Sequence, residues 1–448
     1  MGDPHSVASL LVVGALGHDG RHRVTQPGAA FHGLEMGPSL IRGDMTLRVS
    51  RADSGGSEAE SGTRTGVADR ERHCAESAES AILGRHVRRV WAVPGTALGM
   101  VSWPGGVADR ALVRWNYWWQ AHLLDCLVDA QLRAPNRQRL RLMNAVTRGL
   151  RLRNLGTWTN AYYDDQAWLG LALLRASAVG VPRQRAVEVL AGALGSAARA
   201  APAVALPWRR GDTYRNVPAN GPAGLLFARL GRLKPAQTIA DWIDAELVDS
   251  GSGLVLDGVY DGQSPNRALY TYCQGAVLGL ETELALRTGH PRHAARVCRV
   301  VAAVQERMTT EGVLHGCGTG DGGLFAGIAA RYLALVAADL PGNGPAQRHA
   351  RAVAGELVRA SAHAAWAHRW PTADRPRFGT DWSVPADDPP SDLSVQLSAW
   401  MLLEVHWNLF GTDPRSRPSR RNGTVPYRAA KERGSDQQEH DAPLTSES

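Results

Sequence analysis

The sequence predicts an all-α chain folded as an (α/α)6 barrel, six inner helices ringed by six outer ones. Three observations carry this. About twelve helical segments can be read between residues 75 and 409. Where their pattern is clearest, a segment apolar around most of its circumference is followed by one with a single apolar stripe, as buried inner and half-exposed outer helices require. No fixed-period repeat runs through them, which argues against an α-solenoid.

The segments lie near 75–91, 112–131, 138–152, 162–179, 183–199, 217–230, 235–248, 271–287, 291–308, 323–339, 345–366 and 393–409. The fourth, from Trp168 to Val179, is apolar nearly all round, whereas the fifth sets Arg183, Gln184, Arg185 and Glu188 on a polar side. The eighth is covered by Ala276, Val277, Leu278, Leu280, Leu284, Ala285 and Leu286. In the ninth, Val297, Val300, Val301, Val304 and Met308 fall on one stripe opposite Arg292, His293, Arg296, Arg299 and Gln305. Gly180/Pro182, Gly231/Pro235, Gly289/Pro291 and Gly342/Pro345 punctuate the chain where helices end and begin. A short strand pair is expected around 254–259.

The two ends read differently. Residues 1–70 hold one aromatic, Phe31, and the stretch from Ser50 to Ser80 is rich in Gly, Ser, Arg and Glu. Such composition cannot offset its ordering entropy by burial, so residues 1–70 are expected to be a disordered extension and 412–448 a disordered tail around a 71–411 domain. Val7 to Leu16 is an apolar run, but the residues before it carry an acid and no Lys or Arg, so it does not read as a signal peptide. The compartment is open, with the cytoplasm the expectation.

Of the 448 residues, 44% are hydrophobic and 21% charged, enough to bury a large core. The net charge is +7, carried almost wholly by arginine, with Lys234 and Lys431 the only lysines. No long basic run is present, so nucleic acid is not an expected partner. No apolar run approaches the roughly 18 residues of a membrane span. The five cysteines have no CxxC spacing, which argues against a zinc knuckle or a disulfide framework. Oligomeric state is not legible.

Chemistry-bearing residues gather where the even-numbered helices begin: Trp115 to His122; Trp158 to Asp165; Trp208 and Asn216 to Asn220; Tyr270 to Gly275; Asp321 to Phe325; and Trp382 before the last. In a barrel these ends share one mouth, the expected ligand cleft. Asp164-Asp165 is the sharpest feature. At a helix start the dipole and free N–H groups favour one anion, and that charge raises the pKa of the other. One ionised carboxylate beside one proton donor is the division of labour of glycoside hydrolysis. An N-cap aspartate followed by a solvated first-turn aspartate is the structural alternative. The glycine-rich 316–323 stretch reads as a loop, since no GK[ST] follows it. Asp249, Asp257 and Asp261 read as turn residues, without calcium-loop spacing. His122 reads as a core histidine and Cys273 as an unactivated thiol.

These segments resemble glycoside hydrolase family 76, the α-1,6-mannanases. Asn160 to Trp168 is similar to the family's catalytic segment, and Tyr270 to Gly275, with Gly279 and Glu283, to its YTYNQG helix. Asp321 to Leu333 is similar to its FKGIFxRYL helix, and the resemblance runs from about 75 to 409. It implies an (α/α)6 barrel cleaving α-1,6-linked mannan endo-wise with retention, or transferring it to another sugar. Asp164 would be the nucleophile and Asp165 the general acid/base. Trp118, Asn160, Tyr163, Trp208, Tyr272, Gln274, Asp321 and Phe325 would hold the sugar rings, with α-mannan or a mannose-rich glycolipid as substrate. No cofactor or metal is required. Cys273 stands where the family has Asn, and Ala326 replaces its Lys. The alternatives are an exo-acting α-mannosidase and a catalytically silent mannan-binding protein.

Overall fold

A computed structural model describes residues 57–200, 205–370, 375–386 and 391–411, with side chains from residue 66 onward. Two units are distinguished, residues 1–64 and 65–448, and apart from the first turns of α1 everything below concerns the second. In chain order the elements begin with α1 (Ser57–Arg85), β1 (Val87–Arg88), a 3-10 turn (Val90–Ala92), β2 (Leu98–Gly99), β3 (Ser102–Trp103) and a single turn α2 (Val107–Arg110). Then come α3 (Tyr117–Arg133), α4 (Arg137–Arg153), α5 (Tyr163–Ala178), α6 (Gln184–Ala200), β4 (Tyr214–Asn216), α7 (Val217–Arg229), α8 (Leu233–Glu246) and β5 (Gly258–Tyr260). They are followed by α9 (Thr271–Thr288), α10 (Pro291–Arg307), β6 (Thr309–Thr310), β7 (Val313–Leu314) and a 3-10 turn (Gly320–Leu324). The barrel closes with α11 (Phe325–Asp339), α12 (Pro345–Ala367), β8 (Ser391–Asp392) and α13 (Leu393–His406).

The fold is the expected (α/α)6 barrel. Helices α3, α5, α7, α9, α11 and α13 each pack on the next, and α13 returns to α3. The outer helices α4, α6, α8, α10 and α12 pack against this ring, and α1 is the sixth, tied to α3 through Glu79–Arg133 and to α13 through Glu71–His406. Burial follows the sequence pattern: α9 is buried continuously from Thr271 to Ala285, while α10 buries mainly the stripe Val297, Val300, Val301 and Val304. Helix starts are capped as their chemistry allows. The Asn136 side chain accepts from the Gln138 N–H, Asn216 from Ala219 and Asp392 from Ser394. Pro291 opens α10, and Gly289, at a left-handed φ of 66°, closes α9.

Glycines on the inner helices let the ring close tightly. A Cβ at Gly170 of α5 would come within 2.6 Å of Leu226 on α7, and one at Gly221 of α7 within 2.8 Å of Ala276 on α9. One at Gly275 of α9 would come within 2.8 Å of the Ala329 backbone on α11, and one at Gly327 of α11 within 2.6 Å of Ser398 on α13. Each faces the next inner helix in the same sense around the barrel. The interior also holds charge: Arg175 of α5 and Arg331 of α11 both pair with Asp125 and Asp129 of α3. Two cations against two anions leave no net buried charge.

Three expectations change. The first helix runs Ser57–Arg85, not 75–91, so it takes in residues 57–70 of the expected extension. From Glu71 on the helix is anchored: the Glu71 carboxylate lies 2.9 Å from the His406 ring on α13, and Cys74, Ala75, Ala78 and Ile82 follow into the core. Residues 1–56 and 412–448 lie outside the described residues. The strand near 254–259 is real but pairs elsewhere, with β5 running antiparallel to β4. Finally, the stretch Gly320–Asp339 is long and apolar enough to cross a membrane, but it is the buried inner wall of the barrel.

Candidate active site

The N-terminal ends of the inner helices bring together most of the residues singled out from sequence. Asp164 and Asp165 sit in the first turn of α5, half-buried. The turn is positioned by the chain before it and by the 205–216 segment. Asn160 accepts from the Tyr162 N–H at 2.9 Å, and Gln166 reaches back to the Asn160 carbonyl at 3.0 Å. The Tyr163 N–H donates to the Trp208 carbonyl at 2.9 Å, which ties α5 to the segment leading into β4.

The two carboxyl groups have different partners. Asp164 accepts from the Trp208 indole N–H through Oδ2 and from the Asp165 backbone N–H through Oδ1, both at 2.9 Å. Asp165 accepts from the Asn160 amide at 2.5 Å. Burial raises the pKa of Asp164 to about 6, opposed first by the Trp208 hydrogen bond. Asp165 is pushed up well above the usual carboxylate range, by burial first and then by the charge of Asp164, with Asn160 opposing.

A third acid faces them. Asp321, exposed in the 3-10 turn before α11, accepts from the indole N–H groups of Trp118 at 3.0 Å and Trp119 at 2.9 Å. Its charge raises both Asp164 and Asp165 further. Tyr272 and Phe325 stack with centroids 3.8 Å apart, and Tyr270 meets Phe325 edge-on at 5.3 Å. Trp115, Trp118, Trp158 and Trp208 are half-buried around the same end of the barrel. Flat aromatic faces beside carboxylates suit a ligand with apolar faces and hydroxyl edges.

One predicted site residue is placed elsewhere. Gln274 is fully buried, its amide oxygen accepting from the Val255 N–H at 2.9 Å and its amide nitrogen donating to the Val255 carbonyl at 2.7 Å. It therefore supports the loop leading to β5, and its polar atoms do not face the mouth. Sequence reasoning also read Asp257 as a turn residue. It is instead a buried carboxylate accepting from the hydroxyls of Tyr214 at 2.5 Å and Tyr272 at 3.3 Å and from the Cys273 thiol at 3.5 Å. Burial raises its pKa. Cys273 is thus tied to a carboxylate, with burial pushing its thiol up. The signal that could have revealed Asp257 was an aspartate inside an apolar run, Leu254-Val-Leu-Asp-Gly.

His122 is a core residue, as expected, but an unpartnered one: neither ring nitrogen has a hydrogen bond. It lies against the rings of Trp118 and Trp168, and burial lowers its pKa to about 3, so it is neutral. Among the described residues, the one cluster of metal-binding side chains is Glu71, His363 and His406, on α1, α12 and α13 and not among the aspartates.

Comparison with known proteins agrees with this geometry. The sequence profile of glycosyl hydrolase family 76 matches residues 203–414. The structure is similar to the GH76A α-1,6-mannanase of Salegentibacter sp. HEL1_6, at 28% identity and a TM-score of 0.66 over 75% of this chain and 98% of that one. It is also similar to an inactive variant of that mannanase, with two consecutive aspartates changed to alanine, in complex with α-1,6-mannotetrose. That match has 27% identity and a TM-score of 0.67 over 76% and 99% of the two chains. Dfg5 from Chaetomium thermophilum, in complex with glucosamine, shares the fold at 19% identity and a TM-score of 0.60, over 79% of this chain and 91% of that one. No curated protein matches the sequence.

Proposed function

We propose that the chain, whose residues 203–414 match the profile of glycosyl hydrolase family 76, is a retaining endo-α-1,6-mannanase of that family. The observation that carries the reading is the Asp164–Asp165 pair in the first turn of α5, whose carboxyl groups have different partners, Trp208 for one and Asn160 for the other. One relative, seen in two structures, supports the substrate: it is an α-1,6-mannanase, and its inactive variant, with two consecutive aspartates replaced, is bound to α-1,6-mannotetrose.

With a pKa of about 6, Asp164 is mostly ionised at neutral pH and is the nucleophile. The Trp208 indole holds one of its oxygens and the Asp165 N–H the other. Asp165, raised further, keeps its proton and is the general acid. In the first step an Asp164 oxygen bonds to the anomeric carbon as the glycosidic bond breaks, and the Asp165 proton passes to the leaving oxygen. The charge of Asp165, now ionised, no longer faces an ionised Asp164, because that carboxylate has become an ester. In the second step Asp165 takes a proton from water, whose oxygen displaces Asp164 and restores the α configuration. A sugar hydroxyl in place of that water gives transglycosylation by the same residues. In this reading Asp321 orients a ring together with Trp118 and Trp119, whose indoles it holds, and Tyr272, Phe325 and Trp208 stack on rings.

Time-resolved proton NMR on linear α-1,6-mannan tests this. The expected result is early release of α-configured reducing ends, abolished by Asp164→Asn or Asp165→Asn. Early β-product refutes the double displacement. Intact mannan that still binds the chain refutes hydrolysis, and a mixed-length ladder on adding mannotriose assigns transfer instead.

A further inference from the structure

A cleft of about 620 Å³ opens on the flank of the barrel, between the β1–β2 segment and the outer helix α4. Four arginines line it: Arg88 and Arg89 from the segment, Arg141 and Arg148 from α4. Its remaining walls are apolar or neutral, including Val87, Ala97 and Leu142, and no carboxylate lines it.

These arginines differ from those held in the barrel's ion pairs. On the other side of α4, Arg139 pairs with Glu79 at 2.7 Å, and the buried Arg133, Arg175 and Arg331 all pair with carboxylates. None of the four cleft arginines has an acidic partner. Arg88 and Arg148 donate only to backbone carbonyls, of Gly84, Val87 and Gly95. Arg89 and Arg141 are exposed and make no hydrogen bond or ion pair among the described residues. A fifth arginine stands behind the cleft. Arg183 donates to Asn144, which also lines the cleft, and to Thr147. Burial, and then the like charge of Arg148, hold its guanidinium below the usual range.

Four arginines without an acidic partner line one concave space, and their like charges repel. That arrangement is eased by an anion with several acceptor oxygens, which arginine meets in bidentate fashion. The volume falls in the range of small-ligand sites and exceeds what a lone inorganic ion fills. The apolar walls suit an organic group carried beside the charge.

We propose that this cleft binds a phosphate-bearing ligand of sugar-phosphate or phospholipid-headgroup size, with Arg89 and Arg141 gripping the phosphate and Arg88 and Arg148 setting the positive field. The site is distinct from the aspartate pair, so the proposal does not rest on the mannanase reading.

Titration calorimetry at low ionic strength tests it, with pyrophosphate, glucose 1-phosphate and uncharged glucose as probes. Both phosphates are expected to bind with sub-millimolar affinity and glucose not at all. Each charge-assisted arginine–phosphate contact is worth about tenfold in affinity. The double variant Arg89→Gln, Arg141→Gln should therefore weaken phosphate binding at least tenfold. Both side chains are exposed and unpaired, so the variant should keep the wild-type unfolding midpoint. No phosphate binding by the wild type, or equal binding by the double variant, overturns the proposal. Cosedimentation with phosphatidylcholine vesicles, with or without 30% phosphatidylglycerol, assigns the source. Sedimentation with the anionic vesicles alone, lost in the double variant, makes the ligand a lipid headgroup. Phosphate binding without sedimentation makes it a soluble phosphate. Sedimentation that persists in the double variant, with no pyrophosphate binding, reduces the cleft to diffuse surface charge and overturns the site.

Discussion

Replacing Asp164 with Asn should remove activity and make the protein more stable at neutral pH. The magnitude follows from the raised pKa. Asp164 moves from 3.8 to about 6 on folding, a little over two units. At about 1.36 kcal/mol per unit this is up to ~3 kcal/mol. The sign is fixed by which state holds the proton. Between about pH 4 and 6 the folded chain keeps a proton that the unfolded chain has released, so stability falls as pH rises through that window. Below it both states are protonated and nothing is lost; above it the full cost of the buried anion is present. Asparagine nearly matches a protonated aspartate in shape and has no such dependence. Asp165 titrates in the same direction, and losing the Asp164 charge eases it as well, which widens the gap. Urea unfolding at pH 4, 6 and 8, followed by tryptophan fluorescence, is the assay. The difference between variant and wild type isolates this pair from every other titrating group. It should be near zero at pH 4 and reach about 2–3 kcal/mol in favour of the variant at pH 8. A difference independent of pH, or a variant less stable at pH 8, would refute the argument that burial of Asp164 raises its pKa.

Three further outcomes follow from named contacts. Trp208→Phe removes the indole hydrogen bond that opposes the raised pKa of Asp164, so the acid limb of the kcat/KM profile should move upward from about pH 6 by roughly one unit. Arg133→Met strands Glu404, which contacts Arg133 at 3.0 Å and whose burial already raises its pKa to about 7. Urea midpoints should report about 3–5 kcal/mol of destabilisation, with most of it recovered in Arg133→Met, Glu404→Leu. Gln274→Ala leaves the Val255 N–H and C=O without their partner, so it should cost about 1–3 kcal/mol in unfolding experiments while leaving KM for mannotetraose close to wild type.

What was legible in the sequence is what local pattern decides. The change from all-round apolar to one-stripe amphipathic segments distinguishes α9 from α10 because that is the difference between a helix enclosed by the ring and one lying on it. The aspartate pair was legible because two adjacent acids ahead of an apolar helix are unfavourable unless used. The misreadings have one cause, the identity of a distant partner. Gln274 and Tyr272 look alike from sequence, as polar side chains opening an inner helix. What separates them is the main chain of Val255, which occupies both ends of the glutamine amide. Asp257 looked like a turn residue until β5 paired with β4 and brought Tyr214 to its carboxylate.

The site and the ring that bears it are two sides of one constraint. Asp164, Asp165 and Asp321 repel one another, and their mutual repulsion favours a structure in which they stand further apart. They stay together because Asp164 and Asp165 are fixed in the first turn of α5 and Asp321 in the turn leading into α11, and those inner helices cannot slide. The glycines that face successive neighbours set each spacing from below: adding a Cβ at Gly275 would push α9 off α11, and with it Tyr272 away from Phe325. Buried ion pairs set the spacing from within, since Arg331 of α11 and Arg175 of α5 converge on the same two aspartates of α3. A solvent-facing loop could relax such a cluster by moving an ångström; close-packed backbones with neutralised interior charge cannot. The raised pKa values are therefore a property of the barrel as a whole, and the α5 turn that carries the two aspartates is only where they become visible.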